Sequence, residues 1–180
     1  MIREGTPVTI SIPTLVTDRL VLRCWQPADL APYAAMNADA ETMRYMDGTI
    51  GRESSDRLVT HLIGHWHLYG FGMWALELRE SGEFIGRAGL YGPTGWPGVE
   101  AAWSIRRDLW GQGLAVEAGQ AAVHFARQHL RIDHLVSIIE PDHRASRRVA
   151  EKLHFGFVEL ADVGPWKEQA IYRLDLQEQV

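Results

Sequence analysis

Cysteine is almost missing from this sequence, since Cys24 is the only one among 180 residues. A single cysteine excludes an intrachain disulfide, and we expect a reduced, cytoplasmic protein. No apolar run approaches the ~20 residues that cross a bilayer, and residues 1–17 lack the apolar stretch of a signal peptide. We therefore expect no membrane partner. Cys24 also has no histidine near it in the sequence, which argues against a cysteine nucleophile.

Positive charge is scarce as well, because 18 Lys and Arg stand against 23 Asp and Glu, for a net charge of −5. This balance lacks the basic footprint of a nucleic-acid-binding protein and favours a cationic substrate over a polyanion. The chain also lacks internal repeats and low-complexity linkers. The sequence therefore predicts one domain over residues 1–180, with an irregular segment at 1–17.

Hydrophobic patterning predicts strands in blocks joined by turns, with a few helices between them. The expected strands cover 20–25, 72–79, 83–91, 99–106, 134–140, 156–163 and 169–176. The expected helices cover 29–37, 41–46, 54–69 capped by Ser54 or Ser55, a segment from near Ala115 to near His129, and 143–155. This order predicts the α+β class, with a mostly antiparallel sheet of about seven strands. The strands at 99–106 and 134–140 flank a helix and should run parallel.

The segment SIRRDLWGQGLAVEA, residues 104–118, has the pattern of an anion-binding turn. A strand ends, Gly111 and Gly113 allow the backbone to bend, and a helix begins with unpaired amides that favour a phosphate. The third glycine of a dinucleotide fingerprint and the Gly-Lys-Ser/Thr of a Walker motif are both lacking. A plain tight turn stays open as the alternative.

The longer segment EAAWSIRRDLWGQGLAVEA, residues 100–118, resembles the acetyl-CoA motif of the GNAT superfamily of N-acetyltransferases. It is most similar to the branch of ribosomal-protein N-terminal (Rim-type) acetyltransferases. TDRLVLRCW, AETMRYM, GMWALELRESGEFIGRAGL and AEKLHF resemble further segments of that branch, in the same order. The resemblance implies a three-layer αβα fold with helices on both faces of the sheet.

The resemblance also implies a site for acetyl-CoA as co-substrate, with no metal. Backbone amides of residues 111–115 would hold the pyrophosphate, namely Gly111, Gln112, Gly113, Leu114 and Ala115. The strand end at Ile105, Arg106 and Arg107 would pair with the pantetheine arm. His143 stands where the family has an Asn that contacts this arm, and His154 replaces a Gly at the end of the last helix.

Two side chains are candidates for catalysis. Glu100 would take the proton of the acceptor amine, and a structural carboxylate is the alternative. Ser146 would protonate the leaving thiolate, and helix capping is the alternative. Tyr172 is a weaker candidate acid.

Walls for the acceptor are expected from three segments, 43–46, 66–71 and 91–96. Arg44, Tyr45 and Trp66 are the candidate substrate contacts within them. A surface arginine and packed aromatic rings are the alternative description of these residues.

The sequence predicts an N-acetyltransferase that moves acetyl from acetyl-CoA to a primary amine by direct attack in a ternary complex. The amine could belong to a protein N-terminus or a small molecule, and a homodimer is possible. An acyl-CoA-binding module with weak catalysis is the first alternative. A zinc hydrolase is the second, because His61, His65 and His67 lie close together on a predicted helix.

Overall fold

The computed structural model describes residues 11–176. Over this range the chain forms eight strands: β1 (Leu15–Val16), β2 (Leu20–Arg23), β3 (Met73–Leu78), β4 (Phe84–Tyr91), β5 (Glu100–Ile105), β6 (His134–Ile139), β7 (Gly156–Val163) and β8 (Trp166–Asp175). The same range holds four α-helices: α1 (Leu30–Asn37), α2 (Arg52–Tyr69), α3 (Leu114–His129) and α4 (Arg144–Lys152).

The strands form one sheet in the order β1-β2-β3-β4-β5-β6-β8-β7. Every neighbouring pair is antiparallel except β5 and β6, which are parallel. The predicted class and the parallel pair are thus confirmed. The sheet has eight strands, which agrees with the expected number of about seven. The additional strand, Leu15–Val16, pairs with β2 inside the segment expected to be irregular. Residues 1–10 of that segment lie outside the described residues.

The alternating side chains of β3 show the three layers. Met73 and Ala75 pack with α1 and α2, in a cluster that includes Tyr33, Val59 and Leu62. Trp74 and Leu76 point to the opposite face and pack with the α3 residues Ala118, Ala122 and Phe125. Because neighbouring strand residues face opposite ways, both faces of the sheet are covered by helices, as the resemblance implied.

Two predicted features are wrong in detail. Residues 41–46 form turns instead of a helix. The Asp39 carboxylate accepts hydrogen bonds from both the backbone N–H and the hydroxyl of Thr42, and such local bonds compete with helix formation. Helix α2 begins at Arg52 with Gly51 as its N-cap, so neither Ser54 nor Ser55 caps it. Ser55 is instead buried and accepts a hydrogen bond from the Asn37 amide.

The parallel pair is short. β5 pairs with β4 from Glu100 to Ile105, and β6 pairs with β8 from His134 to Ile139. With each other, β5 and β6 are in register only at Glu100 and Val136. Since Glu100 is the first residue of β5, the two strands separate toward their carboxyl ends and leave a gap in the sheet. Among the helices of residues 11–176, none is long and apolar enough to cross a membrane.

Candidate active site

The edge of β5 that faces the gap carries backbone groups without a strand partner. Arg106 donates its N–H to Ile85 of β4, so Arg106 faces β4. By the alternation of an antiparallel ladder, Ala101, Trp103 and Ile105 face β6. Ala101 belongs to the short pairing at Glu100 and Val136, and Trp103 and Ile105 direct their backbone groups into the gap. The Ile105 carbonyl accepts a hydrogen bond of 2.6 Å from the Trp110 indole. Ile105 is therefore the residue of the predicted strand end whose backbone faces the gap.

The side chains of Arg106 and Arg107 are engaged with carboxylates. Arg106 bonds to Asp108 at 2.7 Å and to Glu83 at 2.6 Å, and these hydrogen bonds raise its pKa above the usual range. Arg107 is exposed and lies 3.5 Å from Asp39. The charge of each guanidinium group is therefore compensated by neighbouring carboxylates.

The glycine turn follows β5 directly and has the geometry that the sequence predicted. Gly111 and Gly113 have φ values of 77° and 81°, in the left-handed region that other residues rarely adopt. A Cβ added to Gly111 would meet nothing within 4 Å, so the space before it is open. Helix α3 begins at Leu114, and its first backbone bond runs from Glu117 N–H to Gly113. The amides before Glu117 therefore point outward at the positive end of the helix dipole.

Arg19 supports this turn, and sequence reasoning missed it. Its guanidinium donates to the Gln112 carbonyl at 2.8 Å and to the Glu117 carboxylate at 2.7 Å. Glu117 also accepts from the Thr17 hydroxyl at 2.6 Å. The signal was present in TDRLVLRCW, where Thr17 and Arg19 precede the first strand of the resemblance. This network fixes the turn to the start of β2 and places a cation beside it.

Glu100 lies at the closed end of the gap and is 8% exposed. One carboxylate oxygen, Oε2, accepts a hydrogen bond of 2.9 Å from the Trp96 indole. The other, Oε1, lies 3.4 Å from the backbone N–H of Ile138 on β6. Burial raises the pKa of Glu100 to about 7, although the bonds from Trp96 and Ile138 and the charge of Arg87 act in the opposite direction. A carboxyl with this pKa can gain and lose a proton near neutral pH.

Aromatic rings surround this carboxylate. Trp96 meets Tyr91 edge to face, with ring centres 5.4 Å apart, and meets Trp166 in the same way at 5.6 Å. The Trp166 indole donates to Asp47 at 2.7 Å. The Tyr91 hydroxyl lies 3.0 Å from Nε2 of His61. Residues from four parts of the chain thus form one wall beside Glu100.

A second wall borders an open cleft of about 290 Å³ at the carboxyl ends of β5 and β6. Tyr45 stacks on His143 with ring centres 4.2 Å apart. The residues that line this cleft are Glu41, Thr42, Tyr45, Trp110, Asp142, His143, Arg144 and Ala145. The structure thus brings together the predicted residues Tyr45 and His143. Arg44 lies over the Tyr45 ring at 5.4 Å and 3.4 Å from Glu41.

His143 caps α4 with its own side chain. Its Nδ1 accepts from the Ser146 N–H at 3.5 Å, and burial lowers its pKa, so the ring is neutral at pH 7. Ser146 is half-buried in the first turn of α4. Tyr172 is 2% exposed, and its hydroxyl accepts a bond of 2.7 Å from Arg147.

Two further candidates lie in packed surroundings. Trp66 is 4% exposed and belongs to the core, where its indole donates to the Met73 carbonyl. This position leaves little of the ring for a substrate. His65 is buried between the Phe71 carbonyl and the Gly92 N–H. Between residues 11 and 176 no three His, Cys, Asp or Glu side chains are grouped to hold a metal ion, so the histidine pattern gives no zinc site there.

Comparisons with known proteins agree with this geometry. The family described as "Acetyltransferase (GNAT) domain" matches residues 19–156. The Bacillus subtilis (strain 168) protein YkkB is 30% identical over 77% of this chain and 83% of its own. A crystal structure of an acetyltransferase from Agrobacterium tumefaciens str. C58 is 31% identical, with a TM-score of 0.83 over 95% of this chain and 99% of that chain.

The Rim-type branch appears among the similar folds. RimL, a ribosomal L7/L12 alpha-N-protein acetyltransferase in complex with coenzyme A, is 18% identical. Its TM-score is 0.71, over 89% of this chain and 96% of that chain. At this identity the likeness shows a shared fold.

Proposed function

Since the chain belongs to the GNAT acetyltransferase family, we propose that it transfers acetyl from acetyl-CoA to a primary amine by direct attack in a ternary complex. Family membership confirms the resemblance and makes the protein an acyltransferase. The observation that carries the finer proposal is the gap between β5 and β6, which has a buried carboxylate at one end and a glycine cradle at the other. We place the reaction in the cytoplasm, because a single cysteine fits a reduced compartment.

The site fits coenzyme A on the geometry of this chain. The outward amides at Gly111 to Ala115, with Arg19 beside them, would hold the pyrophosphate. The unpaired backbone edge of β5 would bond the amide groups of the pantetheine arm. His143 and Tyr45 would form the side of the cleft that this arm passes. When bound, the cofactor supplies the thioester carbonyl that the amine attacks.

Glu100 is proposed as the base. A primary alkyl amine is mostly protonated at pH 7, because its pKa is near ~10.4 as in lysine. The carboxylate would accept a proton from the ammonium group, directly or through a water, as the N–H bond breaks and an O–H bond forms. Its raised pKa makes Glu100 a stronger base than an exposed glutamate. Ser146 at the start of α4 would donate its hydroxyl proton to the leaving thiolate and regain a proton from water.

The acceptor is proposed to enter beside the aromatic wall of Tyr91, Trp96 and Trp166. Asp47 on this wall supplies a carboxylate that favours an ammonium group. Arg44 and Tyr45 would contact the part of the acceptor that leads away from the amine. A protein N-terminus and a small amine both meet these requirements.

The test combines cofactor binding with turnover. Coenzyme A at about a hundred times its Kd should stabilise the protein by roughly 2.7 kcal/mol in thermal unfolding. Thiol release from acetyl-CoA should then depend on an added amine, drawn from a panel of peptides and small amines. Glu100→Gln should lower kcat/KM by about 10²–10⁴-fold, whereas Glu159→Gln, on the exposed strand β7, should change nothing.

Two outcomes contradict the proposal. Cofactor binding without turnover on any amine would indicate the acyl-CoA-binding module instead. Full activity of Glu100→Gln would remove Glu100 as the base.

A further inference from the structure

Trp96 does more than line the wall beside the candidate base. It lies in the loop between β4 and β5, four residues before Glu100. Its indole N–H donates to Oε2 of that carboxylate at 2.9 Å, a good length for a hydrogen bond. Oε1 has only a long contact of 3.4 Å to the Ile138 N–H. The two oxygens are therefore unequal, and Oε1 keeps the lone pairs that could take up a proton.

The indole itself is held by groups from other elements. Its ring lies at 85° to Tyr91 of β4 and at 84° to Trp166 of β8, a preferred arrangement of aromatic pairs. Asp47 fixes Trp166 through a hydrogen bond of 2.7 Å. The Trp96 backbone N–H also donates to Pro93 at 3.0 Å, which shapes its own loop. The direction of the N–H is thus set before any ligand arrives.

We propose that Trp96 is the positioning residue of Glu100: its N–H fixes Oε2 and so directs Oε1 toward the acceptor amine in the ionised form. This inference rests on the proposed role of Glu100 as the base. In the proton transfer, Oε1 gains the proton that the ammonium nitrogen loses, while Trp96 continues to donate to Oε2. A phenylalanine at this position would keep the ring contacts and remove the donor.

Few other groups act on this carboxylate within the described part of the chain. Arg87 and Tyr91 on β4 are its titratable neighbours, and β6 contributes the Ile138 amide. The guanidinium of Arg87 and the Ile138 N–H favour the ionised form, as Trp96 does. Removing the Trp96 donor therefore raises the pKa of Glu100, because hydrogen bonds to the charged form hold that pKa down.

The experiment compares Trp96→Phe with Trp74→Phe, which loses its own indole donor to the Pro13 carbonyl on the α3 face of the sheet, away from Glu100. In Trp96→Phe, the acidic limb of the pH profile of kcat/KM should move up by about one pH unit, because a hydrogen bond to a charged group usually shifts a pKa by about that amount. Activity at pH 6 should fall about tenfold and recover at alkaline pH, with KM for acetyl-CoA unchanged. Trp74→Phe should leave the limb in place. An unmoved limb in Trp96→Phe overturns the inference.

A measurement on the wild-type protein covers the case in which Trp96→Phe does not fold. One of the seven tryptophan indole N–H signals in the ¹⁵N NMR spectrum should shift with pH. The midpoint of this shift should equal the midpoint of the acidic limb of the kcat/KM profile. In Glu100→Gln this shift should disappear. If no indole signal follows the limb, the inference is wrong. If Glu100→Gln keeps the wild-type profile, the proposed base itself fails, which is a separate result.

Discussion

Replacing Glu100 by Gln should change how the stability of the protein depends on pH. The pKa of Glu100 is raised from 4.5 to about 7 by burial in the folded state, and the unfolded chain should have the ordinary value. Between these two values the folded state holds a proton that the unfolded state has released. The free energy of unfolding therefore falls as pH rises through this window, and it levels off above the folded pKa.

The magnitude follows from the two pKa values. One carboxyl has a pKa of about 4.5 in the unfolded state and about 7 in the folded state. This difference lowers the free energy of unfolding of the wild-type protein by roughly 2.5 kcal/mol between pH 5 and pH 8. Glutamine cannot titrate, so Glu100→Gln should lack this loss. Urea unfolding of both proteins from pH 5 to 8 measures how the free energy of unfolding changes with pH. Subtracting the two curves removes the contribution of the other titrating groups, which both proteins share. Parallel stability curves would refute the reasoning, because they would mean that Glu100 is not desolvated.

Three other substitutions test the packing around the site. His154→Gly should raise the free energy of unfolding by about 0.5–1 kcal/mol with unchanged turnover, because His154 has a φ of 67° and this region strains a non-glycine residue; a loss of stability in urea would contradict this. Glu117→Gln should lower the free energy of unfolding by about 1–2 kcal/mol and weaken coenzyme A binding measured by calorimetry, because it loosens Arg19. An unchanged affinity would mean that Arg19 does not support the turn. Gly119→Ala should cost about 1–3 kcal/mol in thermal unfolding, because its Cβ would lie 2.5 Å from the end of the buried Leu153 side chain; a neutral result would mean that this side chain can change its rotamer.

The sequence was sufficient for elements whose signals are local. The period-two strands and the helix after Gly113 were predicted within a few residues. The parallel pair followed from the helix between its strands. The helix predicted over residues 41–46 was wrong because helix periodicity carries no information about the Asp39 carboxylate, which holds Thr42 in a turn.

The candidate site was predictable only where a motif marked it. The glycine turn and Glu100 lie inside the segment that resembles the family. The contact between Tyr45 and His143 joins distant parts of the chain and depends on how α4 follows β6. Trp166 was not expected beside the site because β8 begins three residues earlier than its sequence pattern predicted. Contacts of this kind follow from topology, which local patterns do not contain.

The single register partner between β5 and β6 also divides the sheet mechanically. Strands β1 to β5 form one continuous ribbon, and β6, β8 and β7 form another. Within the sheet, one rung of backbone bonding joins the two ribbons, and the Glu100 side chain spans the next position. Hydrogen exchange in the free protein should therefore be faster for the Trp103 and Ile105 amides, which face this seam, than for the β5 amides that bond to β4. A ligand that bridges the seam should slow the exchange of those two amides.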